Sequence, residues 1–336
     1  MRAAMRHPPH RLSVAPMMDW TDRHCRRMHR ALSRRTLLFT EMVTSAALVH
    51  GDADRLLAFS PAERPLALQI GGSDPDQLER AVAIAAPRDF HEINLNVGCP
   101  SDRVQSGAFG ACLMREPLLV ADCVAAMIGA AGGTPVTVKC RIGVDEQDPR
   151  AALPAFLDAV RAAGVNRVAI HARKAWLQGL SPKENRDVPP LDHGLVVDMK
   201  RAFPDMEILA NGGLASLDDA LDRIGAGLDG AMIGRAAYYE PVAILGTADR
   251  RVFGETGPDR TAEDAVVEML PYVEAECSRG ERLNRITRHM LGLLAGRPGA
   301  RRWRRMLSED ACRPGAGPAL IQTALAGVAE LGRDAA

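Results

Sequence analysis

One cysteine stands in a sequence context that suits proton transfer. Cys99 lies in the string NLNVGCP, residues 94–100, where Gly98 and Pro100 restrict the loop around it. A free thiol has a pKa of about 8.5, so near neutral pH it holds a proton that it can donate. It could also be a nucleophile, but this needs a partner base or a lowered pKa, and the sequence shows neither. We therefore expect Cys99 to be a general acid.

Three further residues could act on a bound ring. Lys139 and Gln69 each lie near the end of a short apolar run, and His171 ends another. The lysine could form a Schiff base, stabilise negative charge on a cofactor ring, or pair with a carboxylate. The Gln69 amide suits a ring edge with N–H and C=O groups. This set favours a flavin over an aldolase pocket. His171 would hold ribityl or phosphate oxygens, unless it is only a hydrogen-bonded histidine of the interior.

Glycines follow two apolar runs, in Asn211-Gly212-Gly213 and in Gly234-Arg235. Glycine lets backbone N–H groups approach an anion, and the N-terminus of a following helix adds positive potential. The alternative is that these glycines only make tight turns. With the flavin-type residues nearby, we expect a phosphate site, to which Arg235 adds a charge.

These residues must be positioned by the elements that precede them. Eight short apolar runs, mostly separated by helical spacing, predict buried parallel strands. The runs are Leu12–Met17, Thr36–Met42, Pro65–Ile70, Glu92–Val97, Pro135–Cys140, Arg167–His171, Glu207–Ala210 and Gly230–Ile233. This alternation predicts an α/β fold, a (β/α)8 TIM barrel, whose active site lies at the C-terminal ends of the strands. A doubly wound sheet is the alternative, but it normally carries GxGxxG after its first strand, where this chain has PMMD.

The pattern changes after residue 239. Helical spacing without strand-like runs predicts an all-helical C-terminal domain, with helices over Ala262–Ser278, Arg282–Ala295, Ala300–Leu307 and Ala319–Leu331. We place the boundary within 250–259. The sequence thus predicts a disordered N-terminal tail over 1–10, a barrel over 11–250 and a helical domain over 251–336.

The composition is that of a soluble globular protein. The 336 residues include 42 basic and 42 acidic side chains, and 47% are hydrophobic. No apolar run approaches the roughly 18 residues of a membrane helix, and no secretory signal is visible, so we expect a cytoplasmic protein. The seven scattered cysteines indicate free thiols. We expect His24, Cys25 and His29 to lie on different helix faces, so no metal site is expected.

Several longer strings resemble a known family. The motif around Cys99, the PMMD start and Phe109–Met114 resemble the tRNA-dihydrouridine synthases. Four further strings are similar to the A-type subgroup of that family: His171–Leu177, Gly179–Arg186, Ile286–Leu293 and Pro298–Arg305. The resemblance spans about residues 11–331, nearly the whole chain.

The resemblance implies an enzyme that binds FMN, uses NADPH and reduces uridine to 5,6-dihydrouridine at U20 and U20a of the tRNA D-loop. A hydride would reach C6 of the uracil, and Cys99 would protonate C5. The cofactor contacts implied are Pro16, Met17, Met18, Gln69, Lys139, His171, Asn211, Gly212, Gly213, Gly234 and Arg235. Asn96 and Arg173 would meet the uracil or nearby tRNA. Wider tRNA contacts, two of them from the basic segment described next, would be Arg103, Lys183, Arg186, Arg301 and Arg304.

The zero net charge hides a segregation of charge. Eight arginines and no Asp or Glu lie within Arg282–Arg305, which leaves −8 on the rest of the chain. Arginine suits contacts with phosphates and bases. The alternative is a solvated basic face or pairing with the acidic barrel. Beside a site that reduces a base we favour RNA, with the D-loop and elbow of tRNA as the partner; no obligate protein partner is evident.

Two other functions stay open at this point. An FMN barrel could reduce a free small molecule, or a barrel could bind RNA and keep its cofactor pocket without turnover. The basic segment Arg282–Arg305 argues against the first, and the set Cys99, Lys139 and Gln69 argues against the second.

A uracil stacked in a helix cannot reach a flavin at a barrel mouth, so the base must be turned out of an irregular loop.

Overall fold

Eight parallel strands form the centre of the structure, a computed structural model that describes residues 7–101 and 109–334. From the second strand onward each strand pairs with the next along the chain, and the first strand pairs with the last. Leu37 closes the ring, because its N–H donates to the Leu12 carbonyl and its carbonyl accepts from Val14, both at 3.0 Å. This confirms the expected barrel. Its strands are β1 (Leu12–Val14), β2 (Leu38–Thr44), β3 (Leu66–Gly71), β4 (Glu92–Val97), β5 (Val136–Arg141), β6 (Arg167–His171), β7 (Glu207–Asn211) and β8 (Gly230–Ile233).

Helices follow the strands and cover the barrel. They span Arg23–Leu32, Ser45–His50, Ala53–Leu56, Pro75–Ala85, Pro117–Ala130, Pro149–Ala162, Glu184–Asp187, His193–Ala202, Leu217–Gly225, Arg235–Tyr239, Pro241–Leu245 and Ala248–Arg251. Asp22, Asp74 and Asp148 cap three of them by accepting hydrogen bonds from first-turn N–H groups. Single 3-10 turns occur at Pro9–Arg11, Pro61–Glu63, Ala86–Arg88, Gly110–Arg115 and Asp310–Cys312. Within the described part of the chain, no helix is long and apolar enough to cross a membrane.

Two strands differ from the expected bounds by more than one residue. β1 ends at Val14 rather than at Met17, because Pro16 has no N–H to pair with a neighbouring strand. β2 runs to Thr44, two residues beyond the expected end, and its register shifts between Phe39 and Met42. Both differences occur at strand ends, where hydrogen bonding rather than hydrophobicity sets the limit.

The N-terminal ends of the strands are closed by a partly buried ionic cluster. Arg167 donates to the Glu92 carboxylate at 2.6 Å and to the Glu207 carboxylate at 2.7 Å. His10 is 3% exposed, and its Nε2 lies 3.1 Å from Glu207. For residues 7–10 the structure therefore differs from the expected disordered tail, because these residues close the barrel floor; residues 1–6 lie outside the described part.

Four helices make up the C-terminal part: Ala262–Ser278, Leu283–Thr287, Ala300–Ser308 and Pro318–Asp334. Their apolar residues join the same core as the barrel helices. The single helix expected over 282–295 is wrong, because regular helix ends at Thr287 and turns follow. The cause is a close approach: a Cβ on Gly292 would lie 2.3 Å from the Tyr239 carbonyl oxygen. The domain boundary near residue 250 stays a prediction.

The expectation about His24, Cys25 and His29 also needs correction. Cys25 and His29 are four residues apart on one helix, so they share a face, and the Cys25 Sγ lies 3.7 Å from the His29 ring. His29 Nε2 also lies 3.1 Å from the Ala237 carbonyl oxygen, and its burial lowers its pKa to about 3. Within the ranges that the structure describes, no group of three His, Cys, Asp or Glu side chains could hold a metal ion.

Candidate active site

A chain of hydrogen bonds begins at the closed end of the barrel. The Glu92 carboxylate accepts from Arg167 at 2.6 Å and from the Thr137 hydroxyl at 2.9 Å. The same hydroxyl accepts from the Asn94 side-chain amide at 2.8 Å. Glu92, Thr137 and Asn94 are each at most 2% exposed, so every one of these groups relies on the others for hydrogen bonds.

The chain continues upward to the loop that carries Cys99. Gln69 donates to the Asn94 side-chain oxygen at 2.8 Å, and Asn96 donates to the Gln69 side-chain oxygen at 2.9 Å. The Asn96 side-chain oxygen accepts from the N–H groups of Gly98 and Cys99, both at 3.0 Å. We call the residues Glu92, Thr137, Asn94, Gln69 and Asn96 the polar chain. It ties the Cys99 backbone to the barrel floor.

The Cys99 thiol is partly exposed, while its backbone is fixed on both sides. Ala111 donates to the Cys99 carbonyl at 2.9 Å, and Arg141 donates to the Gly98 carbonyl at 2.9 Å. The Sγ atom lies 3.5 Å from the Ser101 hydroxyl. A thiol held in this way can meet a ligand without a change in the loop that carries it.

Positive charge is concentrated around this thiol. Burial and the neighbouring Arg141 lower the pKa of Lys139 to about 8. Burial lowers the pKa of Arg141 to about 10, while that of His171 is driven well below its usual value by burial and by these two cations. No carboxylate in the described part of the chain lies within ion-pair distance of Lys139, Arg141 or Arg173. Uncompensated cations at a barrel mouth favour an anionic ligand.

A glycine turn after β7 provides a cradle beside His171. Gly212 and Gly213 have φ angles of 95° and 68°, which favour glycine. A Cβ on Gly212 would lie 3.0–3.1 Å from the His171 ring, so a side chain has no room there. His193 Nε2 lies 2.9 Å from the Gly212 carbonyl oxygen. The Nδ1 atoms of His171 and His193 are buried without a hydrogen-bond partner, so each could bond to a ligand placed in the cradle.

Asn211 and Arg235 make protein contacts. The Asn211 side chain donates to the Met232 carbonyl at 2.7 Å, which links β7 to β8. Arg235 forms a two-pronged ion pair with Asp187, at 2.6 and 3.2 Å. The Arg235 guanidinium is therefore already hydrogen-bonded to a carboxylate. An anion can still approach the side of the guanidinium that does not face Asp187.

The segment after β1 forms the adjoining part of the mouth. Pro16 and Met17 are partly buried, whereas Met18 is 55% exposed. The Thr21 hydroxyl accepts a hydrogen bond from the Met17 N–H at 3.0 Å and donates one to the Met17 carbonyl at 3.1 Å, which fixes the turn. A Cβ on Gly234 would lie 3.6 Å from the Met17 sulfur, an ordinary contact, so space alone does not require glycine there.

The segment after β6 carries further basic residues to the mouth. Arg173 donates to the Arg186 carbonyl at 2.9 Å, and Lys183 is exposed on the same segment. Arg141 and the fully buried Asn185 hold the segment, since Arg141 donates to the Asn185 carbonyl at 2.9 Å. The structure therefore brings Arg173 and Arg186 together beside the site, while Asn96 is nearly buried below them.

The arginines of the basic segment are all exposed, while most of its apolar residues are buried. All eight arginines face solvent, and three of them pair with acids, at Glu281, Asp22 and Glu263. The other five have no carboxylate partner among residues 7–101 and 109–328: Arg282, Arg301, Arg302, Arg304 and Arg305. The buried Trp303 anchors this stretch. Pairing with the acidic barrel therefore does not account for the segment. Arg103 lies outside the described residues.

Sequence reasoning missed the residues that support the site from behind. The sequence analysis gave no role to Asn94, Thr137, Arg141, Asn185 or His193. One signal was present: polar residues alternate with apolar ones in the string EINLN, residues 92–96, which places a polar row on one face of a strand.

Solved structures show the same fold at low sequence identity. An old yellow enzyme homologue from Zymomonas mobilis superposes with a TM-score of 0.52 and 12% identity, over 76% of this chain and 92% of that one. Morphinone reductase gives a TM-score of 0.52 and 12% identity, over 76% and 88%. These likenesses establish the barrel fold alone.

Closer relatives cover nearly the whole chain. Three proteins named tRNA-dihydrouridine(20/20a) synthase are 53–54% identical: those of Vibrio parahaemolyticus (94% of this chain, 96% of that protein), Salmonella typhimurium (96%, 96%) and Xanthomonas axonopodis pv. citri (94%, 93%). The family described as dihydrouridine synthase (Dus) matches residues 13–326. The chain therefore belongs to the dihydrouridine synthase family, whose general function is the flavin-dependent reduction of uridine in the D-loop of tRNA.

Proposed function

We propose that this protein uses FMN and NADPH to reduce uridine to 5,6-dihydrouridine at positions 20 and 20a of tRNA. The observation that carries the proposal is the partly exposed Cys99 thiol, held at the upper end of the polar chain beside cations that lack carboxylate partners. The position numbers are supported by the names of relatives at 53–54% identity.

The cofactor would lie across the barrel mouth. Gly212, Gly213 and the unpartnered His171 would hold its phosphate end, and Lys139 would stabilise negative charge on its ring. When bound, the reduced flavin supplies a hydride for C6 of the uracil. Gln69 already uses one donor and one acceptor in the polar chain, so only one of each is left for the ring.

The remaining cofactor residues divide into two groups. We assign Pro16, Met17 and Met18 to apolar contact with the cofactor, and Gly234 and Arg235 to its phosphate side. Arg235 would keep its pair with an aspartate while it approaches the anion. Asn211 contributes by holding β7 against β8.

Cys99 would deliver the proton to C5 of the uracil after the hydride has reached C6. The polar chain fixes the backbone from which the thiol projects, so the proton donor stays in place while the base enters. Arg173 and Arg186 would contact the turned-out uridine or its phosphates, with Asn96 beneath them and Lys183 further out. Arg301 and Arg304 would bind the D-loop and elbow, and Arg103 is assigned to tRNA on the resemblance alone.

Cys99→Ala tests the proton-transfer step. The variant should bind flavin and oxidise NADPH as the parent does, yet dihydrouridine formation should fall by about 100-fold or more, because a general acid contributes about that factor. The matched control is Cys112→Ala, whose thiol is also partly buried and donates to a carbonyl at 3.1 Å. Mass spectrometry of tRNA digests measures the product. Parent protein that leaves U20 and U20a unreduced would refute the proposed function itself.

Gly212→Ala tests the phosphate cradle. The added Cβ would press on the His171 ring at 3.0 Å in a strained backbone, so affinity for FMN should fall about tenfold or more. Riboflavin has no phosphate, so its weaker binding should change less. The control is Gly225→Ala, where nothing lies within 4 Å of the new atom. Equal losses for FMN and riboflavin would place the phosphate elsewhere.

A further inference from the structure

Exposed apolar side chains gather at the barrel mouth. Seven large hydrophobic residues of the described chain are more than a third exposed, and four of them follow the ends of β1, β6 and β8: Met18, Val188, Leu191 and Tyr239. Apolar surface concentrated beside a ligand site indicates that something apolar is bound there. Met18 is already assigned to the cofactor, which leaves Val188, Leu191 and Tyr239 without a role.

Three aromatic rings form the centre of this rim. Trp20 and Tyr238 are stacked, with centroids 4.5 Å apart and planes at 21°. Tyr239 meets both rings edge-on, at 5.2 Å from Trp20 and 5.7 Å from Tyr238. Tyr239 is 56% exposed, whereas Trp20 and Tyr238 are partly buried. Two rings of the group are therefore held by the protein, and the third is exposed to solvent.

The helical C-terminal part holds these rings in place. The Tyr238 hydroxyl lies 3.1 Å from His289 Nδ1, and the His289 ring is fully buried. The Tyr239 carbonyl packs closely against Gly292. Arg288 donates to the Asp19 carbonyl at 2.9 Å, which fixes the residue before Trp20. Rings that are already ordered lose little conformational freedom when a ligand stacks on them.

The aromatic group and the loop that carries Cys99 lie at the same end of the barrel. Tyr239 is on the short helix directly after β8, and Cys99 is in the loop directly after β4. The C-terminal ends of parallel strands meet at one end of a barrel, so a ligand at Cys99 lies on the same face of the barrel as the aromatic group.

We infer that Trp20, Tyr238 and Tyr239 form a stacking surface for the base of a nucleotide next to the reduced uridine. The inference rests on the proposed function. A uridine that enters the barrel leaves its neighbour without a stacking partner, and an aromatic face accepts any base because every base has a π-face. Arg186, for which no ion pair is found among residues 7–101 and 109–328, supplies positive charge for an adjoining phosphate. The three rings thus stabilise the turned-out form of the loop.

The test combines a protein change with a substrate change. Tyr239→Leu removes the exposed ring, Tyr239→Phe keeps it, and Val267→Ala alters an exposed apolar residue on a C-terminal helix as a control. The substrates are a tRNA transcript and two versions in which one or the other nucleotide flanking the target uridine is abasic. Dihydrouridine formation gives kcat and KM, and NADPH oxidation and flavin content are measured in parallel.

The stacking surface predicts a specific pattern. Tyr239→Leu raises KM for the parent transcript by about 5- to 100-fold, while the phenylalanine and control variants do not. On one of the abasic transcripts the leucine variant and the parent protein have similar KM values, because the base that stacks is missing. An equal penalty on all three transcripts overturns the inference, as does a rise in KM for NADPH instead of tRNA. If the parent protein reduces no transcript, the proposed function fails instead.

Discussion

The polar chain makes a quantitative prediction at Thr137. Thr137→Val keeps the shape of the side chain but removes the hydroxyl that donates to Glu92 and accepts from Asn94. Both partners are at most 2% exposed, so water cannot replace the lost hydrogen bonds. An unpaired buried amide costs about 1–3 kcal/mol, and a hydrogen bond to a charged group contributes about 1.5–3 kcal/mol. Since valine itself is easier to bury than threonine, we expect a net loss of about 2–4 kcal/mol in the free energy of unfolding.

Thr137→Ser provides the matched control. It keeps the hydroxyl and removes one buried methyl group, which costs about 1 kcal/mol. Urea unfolding of the flavin-free protein at pH 7, followed by circular dichroism, measures both variants. The valine variant should unfold at clearly lower urea than the serine variant. If the valine variant is as stable as the serine variant or more so, the hydroxyl does not join the two halves of the polar chain and the reasoning is wrong.

Three further changes test other parts of the structure. Lys139→Met should stabilise the flavin-free protein at pH 7 by up to about 3 kcal/mol, because burial lowers the pKa of Lys139 to about 8 in the folded protein, against 10.5 in the unfolded chain. The free energy of unfolding of the parent protein should therefore rise between pH 8 and pH 10.5. Urea titrations of the variant should lack this rise. Arg301→Ala and Arg304→Ala should each weaken tRNA binding and reduce its salt slope by about 1, unlike Arg201→Ala, and unchanged slopes would contradict a phosphate contact. The hydrogen bond with His10 lowers the pKa of Glu207 from 4.5 to about 2. The carboxylate should therefore stabilise the folded protein fully above pH 4.5, and this stabilisation should fade as the pH falls to about 2. Glu207→Gln should lose that pH dependence in thermal unfolding.

The barrel could be predicted because each strand is a short apolar run between helical segments. A strand that is buried on both faces is apolar along its whole length, so it can be recognised without knowing which strands pair with it. The helix Ala262–Ser278 was predicted to the residue, since its Thr261 cap and apolar spacing are local signals. The segment 282–295 was not, because the feature that ends its helix is the approach of Gly292 to a carbonyl more than 50 residues away.

In the candidate site too, local features could be predicted from the sequence and long-range contacts could not. Residues at strand ends could be identified because the fold brings all strand ends together. The partners of those residues could not: nothing local indicates that Gln69 bonds to Asn94 and Asn96, or that Asp187 pairs with Arg235. Side-chain pairing depends on strand register and on the path of the connecting segments, which a single sequence does not specify.

The direction of the polar chain has a consequence for every amide within it. In each link the donor lies towards the barrel mouth and the acceptor towards Glu92. An ionised carboxylate can only accept, so it obliges the Thr137 hydroxyl to point down, and each amide above must turn its NH2 group the same way. The two ends of an amide are nearly alike in shape, and shape alone would leave their orientation undecided. One negative charge on the barrel floor therefore determines which way the amide of Gln69 is turned, although Glu92 lies three hydrogen bonds away from it.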